Sequence, residues 1–125
     1  MEGEALAGME KKVLLSWLLA FYGELLTENQ REMSRLHWEE DYSLAEIAEQ
    51  FSVSRQSVHD TVSRTERQLE SWEEKLGLLR RFQRLESGLK ACQAELSQVI
   101  PAGDTALHLD AARRWVAALL DQEEE

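Results

Sequence analysis

Apolar residues recur at steps of three and four along most of this chain, which is the spacing of one face of an α-helix. The first such face lies in residues 9–22 and is formed by Leu14, Trp17, Leu18 and Phe21, with Leu25 beyond it. Gly23 can close this helix as a left-handed residue, because glycine has no Cβ to clash there. No stretch alternates between apolar and polar residues as a half-buried strand does, so we predict an all-α fold.

Two capping-box motifs mark where the next helices begin. In this motif a Ser or Thr caps the helix, and a Glu or Gln three residues later reaches back to the cap's own backbone N–H. Thr27 with Gln30 is the first example, and the helix after it is expected to reach about residue 40. Its apolar positions are Met33, Leu36 and Trp38. Ser43 with Glu46 is the second example.

The stretch from Ser43 to Arg67, SLAEIAEQFSVSRQSVHDTVSRTER, has the pattern of a helix-turn-helix. Its inward positions are apolar or small, namely Leu44, Ile47, Ala48 and Phe51 in the first helix and Val58, Val62 and Thr65 in the second. Ser54 is the candidate N-cap of the second helix. The turn position often given to glycine is Ser52, which costs about 1 kcal/mol in a left-handed conformation.

With Val58 and Val62 facing inward, a rotation of about 100° per residue places a polar set on the outer face of the second helix. This set comprises Gln56, Asp60, Ser63 and Arg67, flanked by Arg55, His59 and Arg64. In a helix-turn-helix the second helix enters the DNA major groove, where Gln can pair with adenine and Arg with guanine or phosphate. We therefore predict these seven residues as DNA contacts. Two-helix corners also occur as plain packing units, which leaves a purely structural role open.

The charge of the chain weighs against strong DNA binding. The formal net charge is −10, and non-specific DNA binding depends on positive charge. Residues 52–67 have three arginines against two acidic residues, a charge of +1, whereas residues 27–51 have two arginines against seven acidic residues, a charge of −5. A single copy should bind DNA weakly, so either a dimer supplies the affinity or the partner is not DNA.

The composition argues against an enzyme, a metalloprotein and a membrane protein. A Gly-rich phosphate loop, a nucleophile with a base and a cleft with paired carboxylates are all missing, so we expect no catalysis and no cofactor. The acidic triplet Glu39 to Asp41 and the single residues His37 and His108 lack further ligands, so we expect no metal. The apolar run from Val13 to Leu26 is interrupted and falls short of the roughly 18 to 20 residues that span a membrane, so we expect no membrane insertion. A single Cys92 cannot form an internal disulfide, which fits the cytoplasm.

The second half of the chain has the pattern of a coiled-coil seam. Apolar or small residues alternate at steps of four and three in two series, first Val58, Val62, Thr65, Leu69, Trp72, Leu76 and Leu79, and then Phe82, Leu85, Leu89, Cys92, Leu96 and Val99. The register breaks after Gly77, which predicts a kink or a corner between two helices. We interpret the seam as a dimer surface and Cys92 as a small buried residue of it.

Pro101 and Gly103 predict a break before a last helix, which should fold back. Its apolar face is expected at Leu107, Ala111, Trp115, Ala118 and Leu119. We therefore expect a disordered extension (residues 1–8), a helix-turn-helix domain (9–70), a C-terminal helical dimerisation segment (71–121) and an acidic tail (122–125).

Three segments carry a resemblance to a known family. They are LLSWLLAFYGELLTENQREM, YSLAEIAEQFSVSRQSVHDTVSR and EEKLGLL, and they lie between Met9 and about Leu79. Together they resemble the YlxM family of bacteria, which suggests that Met9 is the true or an alternative start. The resemblance implies an all-helical protein with a helix-turn-helix similar to region 4 of bacterial sigma factors. Genes of the family commonly sit beside those of the signal recognition particle.

Two functions follow as expectations. The first is a DNA-binding regulator, a homodimer that presents paired helix-turn-helix units to double-stranded DNA. The second is a protein-interaction module that has kept the helix-turn-helix shape and assists the signal recognition particle pathway through its acidic face. The acidity favours the second function, and the outward Gln, Ser and Arg residues favour the first.

Overall fold

The computed structural model describes residues 10–100 and 102–124, with side chains described as far as Asp121 at the C-terminal end. It contains α1 (Lys11–Tyr22), a 3-10 turn (Gly23–Leu25), α2 (Glu28–Trp38), α3 (Leu44–Phe51), α4 (Arg55–Leu76), α5 (Leu78–Gln98) and α6 (Asp104–Glu124). These described residues contain no strand, which confirms the all-α prediction. The chain divides into two compact units between Arg80 and Arg81, here called the N-terminal and the C-terminal unit.

The N-terminal unit is organised around α4, which contacts α1, α2 and α3. Its core is apolar and is formed by Leu15, Leu18, Leu19, Tyr22, Leu26, Met33, Leu36, Trp38, Ile47, Ala48, Val58, Val62, Leu69 and Leu79. The predicted inward residues of α2 are among them. Burial of a Leu, Ile or Val side chain contributes roughly 1.5–3 kcal/mol, so this unit has the larger part of the hydrophobic stabilisation.

The predicted face of α1 is wrong by one position. The structure buries Leu15, Leu18, Leu19 and Tyr22, and leaves Trp17 37% exposed. Residues 13–22 are apolar on nearly every side, so steps of three and four fit two neighbouring faces equally well. Gly23 follows the last residue of α1, as predicted, but its φ of −57° is right-handed, and the chain continues into the 3-10 turn.

The predicted corner near Gly77 is present and is held by a buried carboxylate. Helix α4 ends at Leu76, Gly77 adopts a left-handed φ of 62°, and α5 begins at Leu78. The Glu73 carboxylate accepts hydrogen bonds from the backbone N–H groups of Leu79 (3.0 Å) and Arg80 (3.1 Å), which are in the first turn of α5.

Tyr22 of α1 completes this network. Its hydroxyl donates to Glu73 Oε1 at 2.7 Å and accepts from the backbone N–H of Leu78 at 3.2 Å. Burial and the hydrogen bond to Glu73 raise the pKa of Tyr22 to about 12. Because a carboxylate at a helix N-terminus satisfies unpaired N–H groups and opposes the helix dipole, this network fixes the start of α5.

The first part of the seam along α4, as far as Leu69, is not a dimer surface. Val58, Val62, Thr65 and Leu69 are buried against the other helices of the N-terminal unit of the same chain, which corrects the sequence-based interpretation. Leu76 is 59% exposed. Periodicity shows that a face is buried but does not show which chain buries it.

Two further expectations concern the C-terminal unit. Cys92, predicted as a small buried residue, is exposed in the single chain, and its burial between two chains stays a prediction. On α6 the predicted apolar face is the exposed one, since the helix buries Val116 and Leu120 instead. The prediction that this helix folds back is supported by Arg113, whose guanidinium donates to the backbone carbonyl groups of Leu96 and Val99.

The predicted domain limits remain predictions, and the structure places residue 70 inside α4. The predicted disorder of residues 1–8 and the predicted break at Pro101 lie outside the described residues. Of the predicted acidic tail, residues 122–124 belong to α6, and residue 125 lies outside the described part. Among the helices that the structure describes, none is long and apolar enough to cross a membrane.

Candidate nucleic-acid interface

Helix α3 is fixed at its start by the capping box that the sequence predicted. The backbone N–H of Glu46 donates to the Ser43 hydroxyl at 3.1 Å, and the backbone N–H of Ser43 donates to the Glu46 carboxylate at 3.1 Å. The hydrogen bond from the Ser43 backbone N–H to the carboxylate, and after it a hydrogen bond from the Ser43 side chain, hold the pKa of Glu46 below its usual value.

The turn between α3 and α4 has the predicted geometry. Ser52 is left-handed, with φ 55° and ψ 44°, and its N–H and that of Val53 both donate to the carbonyl of Ala48. Ser54 caps α4 by accepting from the backbone N–H of Ser57 at 3.0 Å. Two caps and one left-handed residue thus set the angle between α3 and α4.

The contact between the two helices is made by small and branched side chains. Ile47 and Val58 are 0% exposed, and Ala48 and Val62 are almost as deeply buried. The Thr65 hydroxyl donates to the carbonyl of Thr61 at 2.8 Å, so its polar atom is satisfied inside the core. Because these inward positions are fixed, the opposite face of α4 is fixed as the outer face.

Six of the seven predicted DNA contacts are exposed on this outer face, namely Arg55, Gln56, His59, Asp60, Arg64 and Arg67. Ser63 is half-buried and lines a cavity of about 170 Å³ with His37, Trp38, Leu44, His59, Val62 and Glu66. The distance from Arg55 to Arg67 along the helix is about 18 Å at 1.5 Å per residue. The seven residues thus share one surface, which we call the α4 surface.

The three arginines of the α4 surface differ in their pairing from its one acidic residue, Asp60. Arg55, Arg64 and Arg67 make no ion pair with any residue that the structure describes. Asp60 accepts a hydrogen bond from the Gln56 side-chain amide at 2.9 Å and lies 3.5 Å from the His59 ring. Gln56 must leave Asp60 if its amide is to meet an adenine edge with both polar atoms.

The sequence did not predict that Lys11 lies beside the α4 surface. Lys11, at the start of α1, forms an ion pair with Glu66 at 3.2 Å. This pair offsets one of the two acidic residues counted between Ser52 and Arg67. The two side chains are 55 positions apart, and no local pattern could have indicated the contact.

The acidic triplet after α2 is paired with side chains of α1 and α2. Glu39 accepts from the Ser16 hydroxyl, Glu40 pairs with Arg35, and Asp41 pairs with Lys12 at 2.9 Å. The side-chain hydrogen bond from Lys12 holds the pKa of Asp41 below its usual value. The described residues contain no group of His, Cys, Asp and Glu side chains that could hold a metal ion.

A family model matches residues 9–100 of this chain, that is, the N-terminal unit from residue 9 onward and all of α5. It is the model of the UPF0122 family, whose description reads "Putative helix-turn-helix protein, YlxM / p13 like". The chain belongs to this family. The match continues about twenty residues past Leu79, where the resemblance in the sequence fades, and it leaves α6 outside.

Several bacterial UPF0122 proteins are similar to the chain. One from Geobacillus kaustophilus is 53% identical over 76 residues, which are 61% of this chain and 69% of the relative. One from Listeria innocua is 45% identical over 89 residues, or 71% of this chain and 81% of the relative. One from Exiguobacterium is 44% identical over 101 residues, or 79% of this chain and 94% of the relative.

Proposed function

We propose that this UPF0122 protein binds double-stranded DNA through the α4 surface and acts in the cytoplasm as a transcriptional regulator. The observation that carries the proposal is the set of three exposed arginines, Arg55, Arg64 and Arg67, without ion-pair partners among the described residues. Unpaired arginines on the outer face of a second helix are suited to phosphate and guanine.

The local pairing of acidic residues also supports this proposal. The net charge of −10 would repel phosphate if all acidic side chains near α4 were free. Glu66 and Asp41 are each paired with a lysine, and Glu32 and Glu40 with Arg35. Lys11 and Lys12 lie outside residues 27–67, so they add two positive charges to the local count beside Glu66 and Asp41, whereas Arg35 is already part of that count.

The test is a genome-wide DNA pull-down with purified protein at low and moderate salt, followed by affinity measurement on the enriched sequence. Arg64→Ala should weaken binding to all sequences and reduce the slope of log affinity against log salt by about 1. Gln56→Ala should cost about 1–3 kcal/mol on the preferred site and relax the preference for one base pair.

Matched controls are available in the C-terminal unit, where Arg81 and Gln93 are exposed. Arg81→Ala changes the charge by the same amount as Arg64→Ala, and Gln93→Ala removes the same amide as Gln56→Ala. DNA affinity should be unchanged in both. Equal losses in the Arg64 and Arg81 variants would contradict a reading role for the α4 surface.

A second candidate function is an interaction module that assists the signal recognition particle pathway. The specific observation in its favour is the net charge of −10, which suits a basic protein or peptide better than DNA. It is favoured if no DNA sequence is enriched at either salt and a component of the particle forms a stable complex with the purified chain.

A further inference from the structure

Helix α6 has an apolar stripe that is exposed along its length. Leu107 is 72% exposed, Trp115 is 70% exposed and Leu119 is 41% exposed. Ala111 and Ala118 continue the stripe and line a shallow depression with Arg114 and Trp115. Single exposed apolar residues are common on protein surfaces, but a continuous exposed stripe that includes a tryptophan is unusual and indicates an interaction surface.

The helix cannot hide this stripe by turning about its axis. Its other side holds Val116 and Leu120, which are 8% and 7% exposed, and Arg113, which donates to two carbonyl groups at the end of α5. A rotation that buried Trp115 would expose these two apolar residues and break the hydrogen bonds of Arg113.

The C-terminal unit also buries few of its large apolar side chains fully. Its only buried apolar side chains among the described residues are Phe82, Val116 and Leu120. Its exposed large apolar side chains are Leu85, Val99, Ile100, Leu107, Trp115 and Leu119. A pair of helices of this size needs more buried apolar surface than three side chains supply, because isolated helices are marginal in water.

We propose that the stripe on α6 binds the same stripe of a second copy of this chain, with the two α6 helices antiparallel about residue 113. Leu107 and Leu119 lie six residues to either side of this point, and Ala111 and Trp115 lie two residues to either side. In the two-fold pair, Trp115 therefore meets Ala111 of the second copy and Leu107 meets Leu119. A large residue then faces a small one and two leucines face each other, which makes the two stripes complementary in shape.

The charges beside the stripe are compatible with a second copy. Asp110 and Arg114 lie on one flank and form an ion pair at 3.2 Å, with 65% and 75% of their side chains exposed. In an antiparallel pair the flank of one α6 meets the same flank of the other. About residue 113, each Arg114 is then equally close to the opposite Arg114 and to the opposite Asp110, so the ion pair within each chain limits the repulsion between the two arginines.

This proposal is independent of DNA binding. Helix α6 lies outside the family match, which ends at residue 100, so the interface is a feature of this chain beyond the shared region. It lies on a different helix from the α4 part of the predicted seam, which is buried within one chain as far as Leu69.

The first experiment is sedimentation equilibrium of the full chain, with Trp115→Glu and Leu107→Glu as test variants. Leu25→Glu is the matched control, because Leu25 is 62% exposed and lies in the N-terminal unit. We expect a dimer for the wild type and the control, and a dimer dissociation constant raised by about a hundredfold or more in Trp115→Glu. A monomeric wild type, or equal dimers in all variants, would overturn the proposal.

A second experiment tests the antiparallel register without removing Trp115, and so does not depend on how the glutamate variants fold. Two chains with different tags are prepared, and Cys92→Ser removes the native cysteine from both. One chain then has Leu107→Cys and the other has Leu119→Cys. Under mild oxidation the mixture should give a disulfide between unlike chains. Either chain alone should give little disulfide. In a dimer of like chains the two cysteines, one from each chain, lie at opposite ends of the interface, about 18 Å apart. Cross-linking only between like chains, or none in the mixture, would overturn the proposal.

Discussion

The two units of this chain are both helical, yet they bury their apolar residues to very different extents. In the N-terminal unit fourteen apolar side chains are buried, and in the C-terminal unit three are buried among the described residues. In the N-terminal unit, α2 and α3 each begin with a complete capping box. The same unit has a buried carboxylate network at Glu73. The C-terminal unit has two long helices and several exposed leucines.

This difference shows how one periodic pattern serves two purposes. Leucines and valines at steps of three and four are buried within the chain when three helices surround α4. The same spacing on α6 leaves Leu107 and Trp115 exposed, because the C-terminal unit is only a pair of helices. The first pattern builds a scaffold for the α4 surface, and the second offers a surface for association.

The largest effect is expected when a fully buried residue of α4 is compared with an exposed residue of the same helix. Leu69 is 0% exposed and Leu76 is 59% exposed, although both lie on the predicted seam. Leu69→Ala should lower the free energy of unfolding by about 3 kcal/mol, because it leaves a cavity in the core. Leu76→Ala should change it by about 0.5 kcal/mol or less. Urea unfolding followed by circular dichroism measures both, and equal losses would contradict the assignment of the core.

The second effect concerns the carboxylate at the corner between α4 and α5. Glu73→Ala leaves the N–H groups of Leu79 and Arg80 and the Tyr22 hydroxyl without their acceptor. We expect a loss of about 2–4 kcal/mol in the free energy of unfolding. Glu74→Ala is the matched control, since Glu74 is exposed, and should change stability little. If the two variants lost the same amount, the buried network would contribute nothing of its own.

The third effect is a shifted titration in the same network. Burial and the hydrogen bond to Glu73 raise the pKa of Tyr22 to about 12, above its ordinary value of 10.0. A folded pKa above the unfolded one means that the stabilisation is fully present below pH 10 and is lost as the pH rises through about 12.

Ultraviolet absorbance of the phenolate measures this shift in a Tyr42→Phe chain, since the protein has two tyrosines. We expect the absorbance to rise near pH 12 in the folded protein, and at lower pH in a Glu73→Gln chain, which lacks the neighbouring negative charge. Titration near the ordinary value in the folded Tyr42→Phe chain would show that Tyr22 is not held in this network.

The sequence predicted the elements whose causes are local. The caps at Thr27, Ser43 and Ser54 and the turn at Ser52 depend on residues within four positions of one another, and all are present. The outer face of α4 could also be predicted, because Val58 and Val62 define the opposite face without ambiguity. That these exposed residues contact DNA stays a prediction.

Other features could not be predicted because their causes are distant in sequence. The Tyr22 to Glu73 hydrogen bond joins residues 51 positions apart, and Tyr22 belongs to the buried face of α1. The α4 seam and the α6 stripe have the same spacing, so only the arrangement of neighbouring helices decides which is buried. Cys92 was placed on a buried seam for the same reason, and it is exposed.

The smallest effect tests the turn that joins α3 to α4. Ser52 adopts φ 55°, where a residue with a Cβ is strained, so Ser52→Gly should stabilise the protein by up to about 1 kcal/mol, less the extra freedom of glycine in the unfolded chain. Ser54→Ala, two positions later, should destabilise it by about 1 kcal/mol, because it removes the cap of α4. The two changes are similar in size and position but opposite in sign, and urea unfolding resolves them. A loss of stability in Ser52→Gly would mean that the left-handed conformation is not the source of strain in this turn.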